Sequence, residues 1–130
     1  MKSDIRALDG VRVVDFSRIL AGPYATMVLS DHGADVVKVE GTPNGDVSRV
    51  SGTAFIGGES GLFLIWNRGK RSIILDLKNM ADLALAKGLV QGADVVVENF
   101  RPGVMERLGL GATSMTQANP LLVYLSLPGF

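Results

Sequence analysis

Runs of consecutive apolar residues alternate along this chain with stretches in which apolar residues recur every three or four positions. The runs at residues 11–16, 35–40, 72–77, 94–100 and 121–127 are rich in β-branched side chains and predict strands. Val95-Val96-Val97 and Ile73-Ile74-Leu75 are continuously apolar, which suits strands covered on both faces, as in a parallel sheet. Between the first two strands, Pro23 is expected to open a helix with Tyr24, Met27 and Val28 inward, and Gly33 to end it. Between the third and fourth, Asn79 is expected to cap a helix with Met80, Leu83 and Ala84 inward, ended at Gly92. Residues 102–109 predict a short helix with Val104, Met105 and Leu108 inward, and Ser114 with Gln117 stands at capping-box spacing before Asn119-Pro120. The glycine-rich stretch 41–61 predicts a long irregular loop, followed by a short buried helix at 62–66. The pattern predicts an α/β fold: a Rossmann-like parallel sheet of about five strands in the order 3-2-1-4-5, with helices on both faces and right-handed crossovers.

Composition narrows the function more than the fold. The chain has 130 residues, enough for one domain, and 47% are apolar. Thirteen basic and 13 acidic side chains balance, so no bulk attraction to nucleic acid or anionic lipid is expected. With no cysteine and only His32, disulfides, thiolate chemistry and histidine-rich metal clusters are excluded, and no metal is expected. Met-Lys-Ser-Asp-Ile-Arg has no apolar leader, and no apolar stretch approaches the roughly 18 residues of a membrane span. A cytoplasmic protein is expected.

Ligands of open α/β sheets gather at the carboxyl ends of the strands. There the sequence places Asp15, Ser17 and Arg18; Glu40; Asp76 and Lys78; Glu98, Asn99 and Arg101; and Ser126 and Gly129. Neither phosphate-cradling motif, G-x-G-x-x-G or G-x-x-x-x-G-K-[ST], occurs. The helix opening at Gly22-Pro23 still offers free N–H groups, and Lys78, Arg101 and Arg107 suit a phosphate, although each alone also reads as a solvated surface charge. Asp15, Glu40, Asp76 and Glu98 could serve as acid or base, but no spacing singles out a pair. His32, at a helix C-terminus, reads as structural or surface.

Several strings are more specific. Leu8-Asp9-Gly10-Val11-Arg12-Val13-Val14-Asp15-Phe16, Ala21-Gly22-Pro23, Gly33-Ala34-Asp35-Val36-Val37-Lys38-Val39-Glu40, Asn67-Arg68-Gly69-Lys70-Arg71-Ser72-Ile73, Leu75-Asp76-Leu77-Lys78 and Ala93-Asp94-Val95-Val96-Val97-Glu98-Asn99-Phe100-Arg101-Pro102-Gly103 resemble, in order, the N-terminal part of class III CoA-transferases. This CaiB/BaiF family includes formyl-CoA and carnitine CoA-transferases and alpha-methylacyl-CoA racemases. The resemblance implies that residues 1–130 are the N-terminal part of a large domain binding the nucleotide end of coenzyme A, in an enzyme that forms an interlocked homodimer. Position by position, Ile19 and Ala21 resemble backbone and apolar contacts after the first strand, and Leu75 and Lys78 adenine and phosphate contacts. Asn99 and Phe100 resemble the pair lining the CoA channel, and Arg107 and Leu108 the cationic and apolar contacts on the next helix.

The implied activity is transfer of CoA from an acyl-CoA to a carboxylic acid through an aspartyl mixed anhydride, or else racemisation beside a thioester. In either case the reactive groups are expected beyond Phe130, so no catalytic residue is assigned and a fragment of a longer enzyme is expected. A non-catalytic CoA- or nucleotide-binding module is the alternative from another class. Two departures stand out. Leu20 replaces the Gln of formate- and oxalate-using members, and Gly41 stands where many relatives carry Arg, which is expected to remove a nucleotide contact. A chain ending at Phe130 is also expected to self-associate, through a strand edge near residues 121–127 or through exposed apolar surface.

Overall fold

The computed structural model describes residues 5–129; the N-terminal residues 1–4, read above as lacking a leader, and Phe130 lie outside the described residues. The strands are β1 (Arg12–Asp15), β2 (Asp35–Gly41), β3 (Phe55–Ile56), β4 (Glu59–Ser60), β5 (Arg71–Leu75), β6 (Val95–Glu98) and β7 (Val123–Ser126). The helices are α1 (Ala21–Asp31), α2 (Gly61–Asn67), α3 (Met80–Gln91), α4 (Val104–Arg107) and α5 (Ala112–Ala118). Five strands form one parallel sheet in the order β5-β2-β1-β6-β7, which is the predicted 3-2-1-4-5. Central β1 sets the register, with Val14 opposite Val37 on one side and Val96 on the other.

Side chains alternate across the sheet, and its two faces have different chemistry. One face carries Val14, Phe16, Val39, Leu75 and Val96 against Ala86 and Val90 of α3, Met105 of α4, Leu110 and Leu122, an apolar core. The other carries Val13, Val36 and Val97 in a smaller apolar cluster. Along the same alternation stand Asp15, Lys38 and Glu40, buried charges on the side that packs α1 and α2.

Several local expectations are corrected. Helix α1 begins at Ala21, so Pro23 sits in its first turn but not at its first position. Its buried side is Gly22, Pro23, Thr26, Met27 and Ser30, with Tyr24 exposed, because the inward side meets the buried charges as well as the apolar cluster. Asn79 does cap α3, its side chain accepting from Ala81 and Asp82 N–H, yet Met80 is exposed and Ala86 and Val90 are the buried residues. Ser114 and Gln117 lie inside α5, whose N-cap is Gly111. The stretch 41–61 contains a 3-10 turn at Val47–Arg49 and the two-residue strands β3 and β4, paired antiparallel. Helix α2 buries only Phe63 and Asn67, leaving Leu62, Leu64 and Ile65 exposed. Strand β5 is an edge, so Ile73 and Ile74 are exposed despite their apolar run.

Candidate functional site

The carboxyl ends of β1, β2, β5 and β6 open together into a cleft of about 610 Å³. Its floor is apolar, formed by Phe16, Val39, Leu75 and Leu77, and Val104 of α4 and Leu108 at that helix's C-cap add to the wall. Three exposed cations, Arg18, Lys78 and Arg107, stand at the rim beside Phe100. None of the three forms an ion pair among the described residues. The Arg18 guanidinium lies over the Phe100 ring, 4.7 Å from its centroid, a cation–π contact that leaves its N–H edge free. An apolar slot beside unneutralised cations suits a ligand with a planar ring and a phosphate.

Five of the eight singled-out residues, Leu75, Lys78, Phe100, Arg107 and Leu108, line this cleft. Ile19, Ala21 and Asn99 do not. Asn99 is occupied with the main chain of Arg18: its Oδ1 accepts from Arg18 N–H and its Nδ2 donates to Arg18 C=O, both at 2.8 Å. Ala21 is exposed at the start of α1. Ile19, 58% exposed, has φ 70° and is the only described non-glycine residue with positive φ. For a β-branched residue such backbone costs about 1–3 kcal/mol and persists where surrounding structure imposes it.

The acids proposed as possible acid or base are engaged structurally. Asp15, fully buried, accepts from Ser17 N–H and Oγ, Thr26 Oγ1 and Lys70 Nζ, the last at 3.0 Å. Lys70 Nζ also donates to Pro23 C=O and Asn67 Oδ1, both at 2.9 Å, so it joins β1, α1 and α2. Burial pulls this lysine down to about 8 although Asp15 draws it upward. Glu40 receives Arg49 through two nitrogens at 2.7 Å, along with Ser72 Oγ and Asp46 N–H. Burial alone would raise Glu40, but these donors, Arg49 foremost, hold it below the usual carboxylate range. Glu98 accepts from Phe100 N–H and Asp76 from Lys78 N–H, each shaping the turn after its strand. Arg101 and Ser126 are exposed and do not line the cleft, and His32 is an exposed C-cap of α1.

Sequence reasoning placed Arg18 on the rim but did not select it as a ligand-binding residue. The signal that could have found it is Gly41. A Cβ there would lie 3.1 Å from Arg18 Nη2, so the missing side chain leaves the space the guanidinium occupies. The buried pair Lys38–Asp46 also escaped notice, because a lysine inside a valine-rich strand signals nothing about its partner eight residues on.

A parallel five-stranded sheet flanked by helices, with a cleft at its carboxyl rim, defines the class: an open α/β domain. The chain belongs to CoA-transferase family III, whose sequence model matches residues 8–130. It is 44% identical over 122 residues to the acetyl-CoA:oxalate CoA-transferase of Acetobacter aceti, covering 94% of this chain and 31% of that protein. With the succinyl-CoA:glutarate CoA-transferase of Homo sapiens it shares 41% identity over 128 residues, covering 98% and 29%. The crystal structure of a CaiB/BaiF family protein from Brucella suis superposes with a TM-score of 0.87 at 43% identity, over 93% of this chain and 33% of that one. The chain therefore spans about a third of the length of these relatives.

Proposed function

We propose that this chain supplies the nucleotide side of a coenzyme A site in an enzyme that moves CoA from an acyl-CoA thioester to a carboxylic acid. The observation that carries this reading is the cleft, where Lys78 and Arg107, in no ion pair among the described residues, share the lining with apolar Leu75 and Leu108. Phosphate oxygens attract the two cations, adenine fits the slot beside Leu75, and the Arg18–Phe100 stack closes the rim. The relatives named above are CoA-transferases, which supports transfer over racemisation. The transfer itself would run through an aspartate supplied by the rest of the polypeptide. Its carboxylate attacks the thioester carbonyl, CoA leaves as thiolate, and a mixed anhydride remains.

Titration calorimetry with CoA tests the site. Lys78→Ala and Arg107→Ala are each expected to weaken CoA binding about tenfold, the loss of one charge-assisted contact, with unchanged circular dichroism. Equal affinity in wild type and both variants would return these residues to solvated surface charge.

Association is proposed from the sheet edge. Among the described residues strand β7 pairs only with β6, and Val123 and Leu125 on it, with Leu121 before it, are exposed. An unpaired apolar edge of this kind recruits another copy of the same chain. Light scattering at micromolar concentration is expected to give a mass above that of one chain; a soluble monomer would show that the edge is left bare. The interlocked homodimer that the family resemblance implies is proposed for the whole protein.

A further inference from the structure

Arg18 reaches the cleft from a turn that its own sequence does not favour. The Arg18–Leu20 backbone contains the positive φ of Ile19, and Leu20 caps α1 without any side-chain hydrogen bond of its own. What holds the turn comes from elsewhere. Lys38 of β2 donates its Nζ to Ser17 C=O at 2.8 Å and pairs with Asp46 at 2.9 Å, both side chains 1% exposed. Asp46 in turn receives Ile19 N–H on both carboxylate oxygens, at 3.4 and 3.3 Å, and anchors the 3-10 turn through Ser48 N–H and Oγ. Asp46 N–H donates to Glu40, which Arg49 clamps, so the 41–49 segment that carries Asp46 is itself fixed at both ends. The ion pair thus grips the main chain on either side of Arg18, while Asn99 grips Arg18 itself.

Buried ion pairs are poor contributors to stability, because desolvating both charges offsets their attraction. This one is spent on two backbone groups that flank a cleft cation. We propose that Lys38 and Asp46 are positioning residues that hold Arg18 over the cleft and thereby set its affinity for CoA. This rests on the CoA reading of the cleft. Gly41 and Thr42 at the end of β2 and Arg18 in the turn after β1 all line the cleft, and Lys38 and Asp46 bind the main chain of that turn at Ser17 and Ile19. Loss of the pair releases Ile19 from its strained φ, and the guanidinium leaves Phe100.

A double-mutant cycle on CoA affinity, measured by calorimetry, tests the proposal. Arg18→Ala and Asp46→Asn are each expected to weaken binding about tenfold. The double variant is expected to be no weaker than Arg18→Ala alone, because a turn without the arginine has nothing left to position. A hundredfold, additive loss, or an Asp46→Asn affinity equal to wild type, overturns the proposal while leaving the CoA site standing. If Asp46→Asn does not fold, Lys38→Met/Asp46→Asn, which buries no unpaired charge, replaces it in the same cycle. If the wild type binds no CoA at millimolar concentration, the CoA reading fails and amide exchange decides the positioning role. Faster exchange at Arg18, Ile19 and Leu20 in Asp46→Asn, with Val13 and Val96 still protected, supports it, and unchanged exchange overturns it.

Discussion

Lys70→Met is expected to lower the unfolding free energy by about 3–5 kcal/mol, because it leaves the Asp15 carboxylate buried without its cation. Asp15 would keep three donors, from Ser17 and Thr26, which favours the lower end of that range. The lysine side chain is 2% exposed and the aspartate 0%, so water cannot replace the lost ammonium. The same variant also strips Pro23 C=O and Asn67 Oδ1 of a donor, loosening α1 and α2 together. Asp15→Asn/Lys70→Met, which removes both charges, is expected to recover most of the loss. Urea denaturation midpoints check both, and a single-variant cost below about 1 kcal/mol would show that the pair is solvated in solution.

Gly22→Ala is expected to be nearly as damaging, at about 3 kcal/mol, the upper end for forcing an extra methyl into a packed site. A Cβ at Gly22 would fall inside the Ser17 side chain, which cannot step aside because Asp15 holds its N–H and its hydroxyl. The backbone of Gly22 is ordinary helix, so the requirement is space and not conformation. Gly88→Ala in α3 is the matched control. Apart from its chain neighbours and its own helix backbone, no described atom lies within 4 Å of a Cβ there, and the change is expected to stabilise by about 0.5–1 kcal/mol through helix propensity. The opposite signs are read from thermal denaturation of the two variants, and a harmless Gly22→Ala would mean that the Ser17–Asp15 turn yields.

The fold was legible because its strongest signals are local. Valine runs between helical stretches mark the strands, and short βα connections leave few sheet orders to choose from. Helix faces were less legible. Met80, Ala84 and Tyr24 are apolar and correctly spaced, yet all three are exposed because the inward direction of α1 and α3 is set by what the sheet presents. On the α1 side that is Asp15, Lys38 and Glu40, and hydrophobic periodicity carries no information about a face built from charges. Within the cleft, Leu75, Lys78 and Phe100 stand in family strings at or just after strand ends, and Arg107 and Leu108 follow from the resemblance on the next helix. Asn99 came with the same strings but serves here to hold Arg18, and Arg18 was passed over because its selection depends on an absent side chain at Gly41.

The cleft draws its lining from Phe16 through Leu108, and so from β2, β5, α4 and the turns after β1 and β6 at once. No portion of the chain shorter than this assembles it, and an unfolded chain has no counterpart to bind. Occupancy and folding are therefore linked by mass action: ligand at a hundred times its dissociation constant adds about 2.7 kcal/mol to the folded state. For a chain of 130 residues that corresponds to a rise in melting temperature on the order of 10 °C. A melting curve recorded across a CoA series thus reads the affinity without any turnover, and a flat series would mean that CoA does not distinguish the folded chain from the unfolded one.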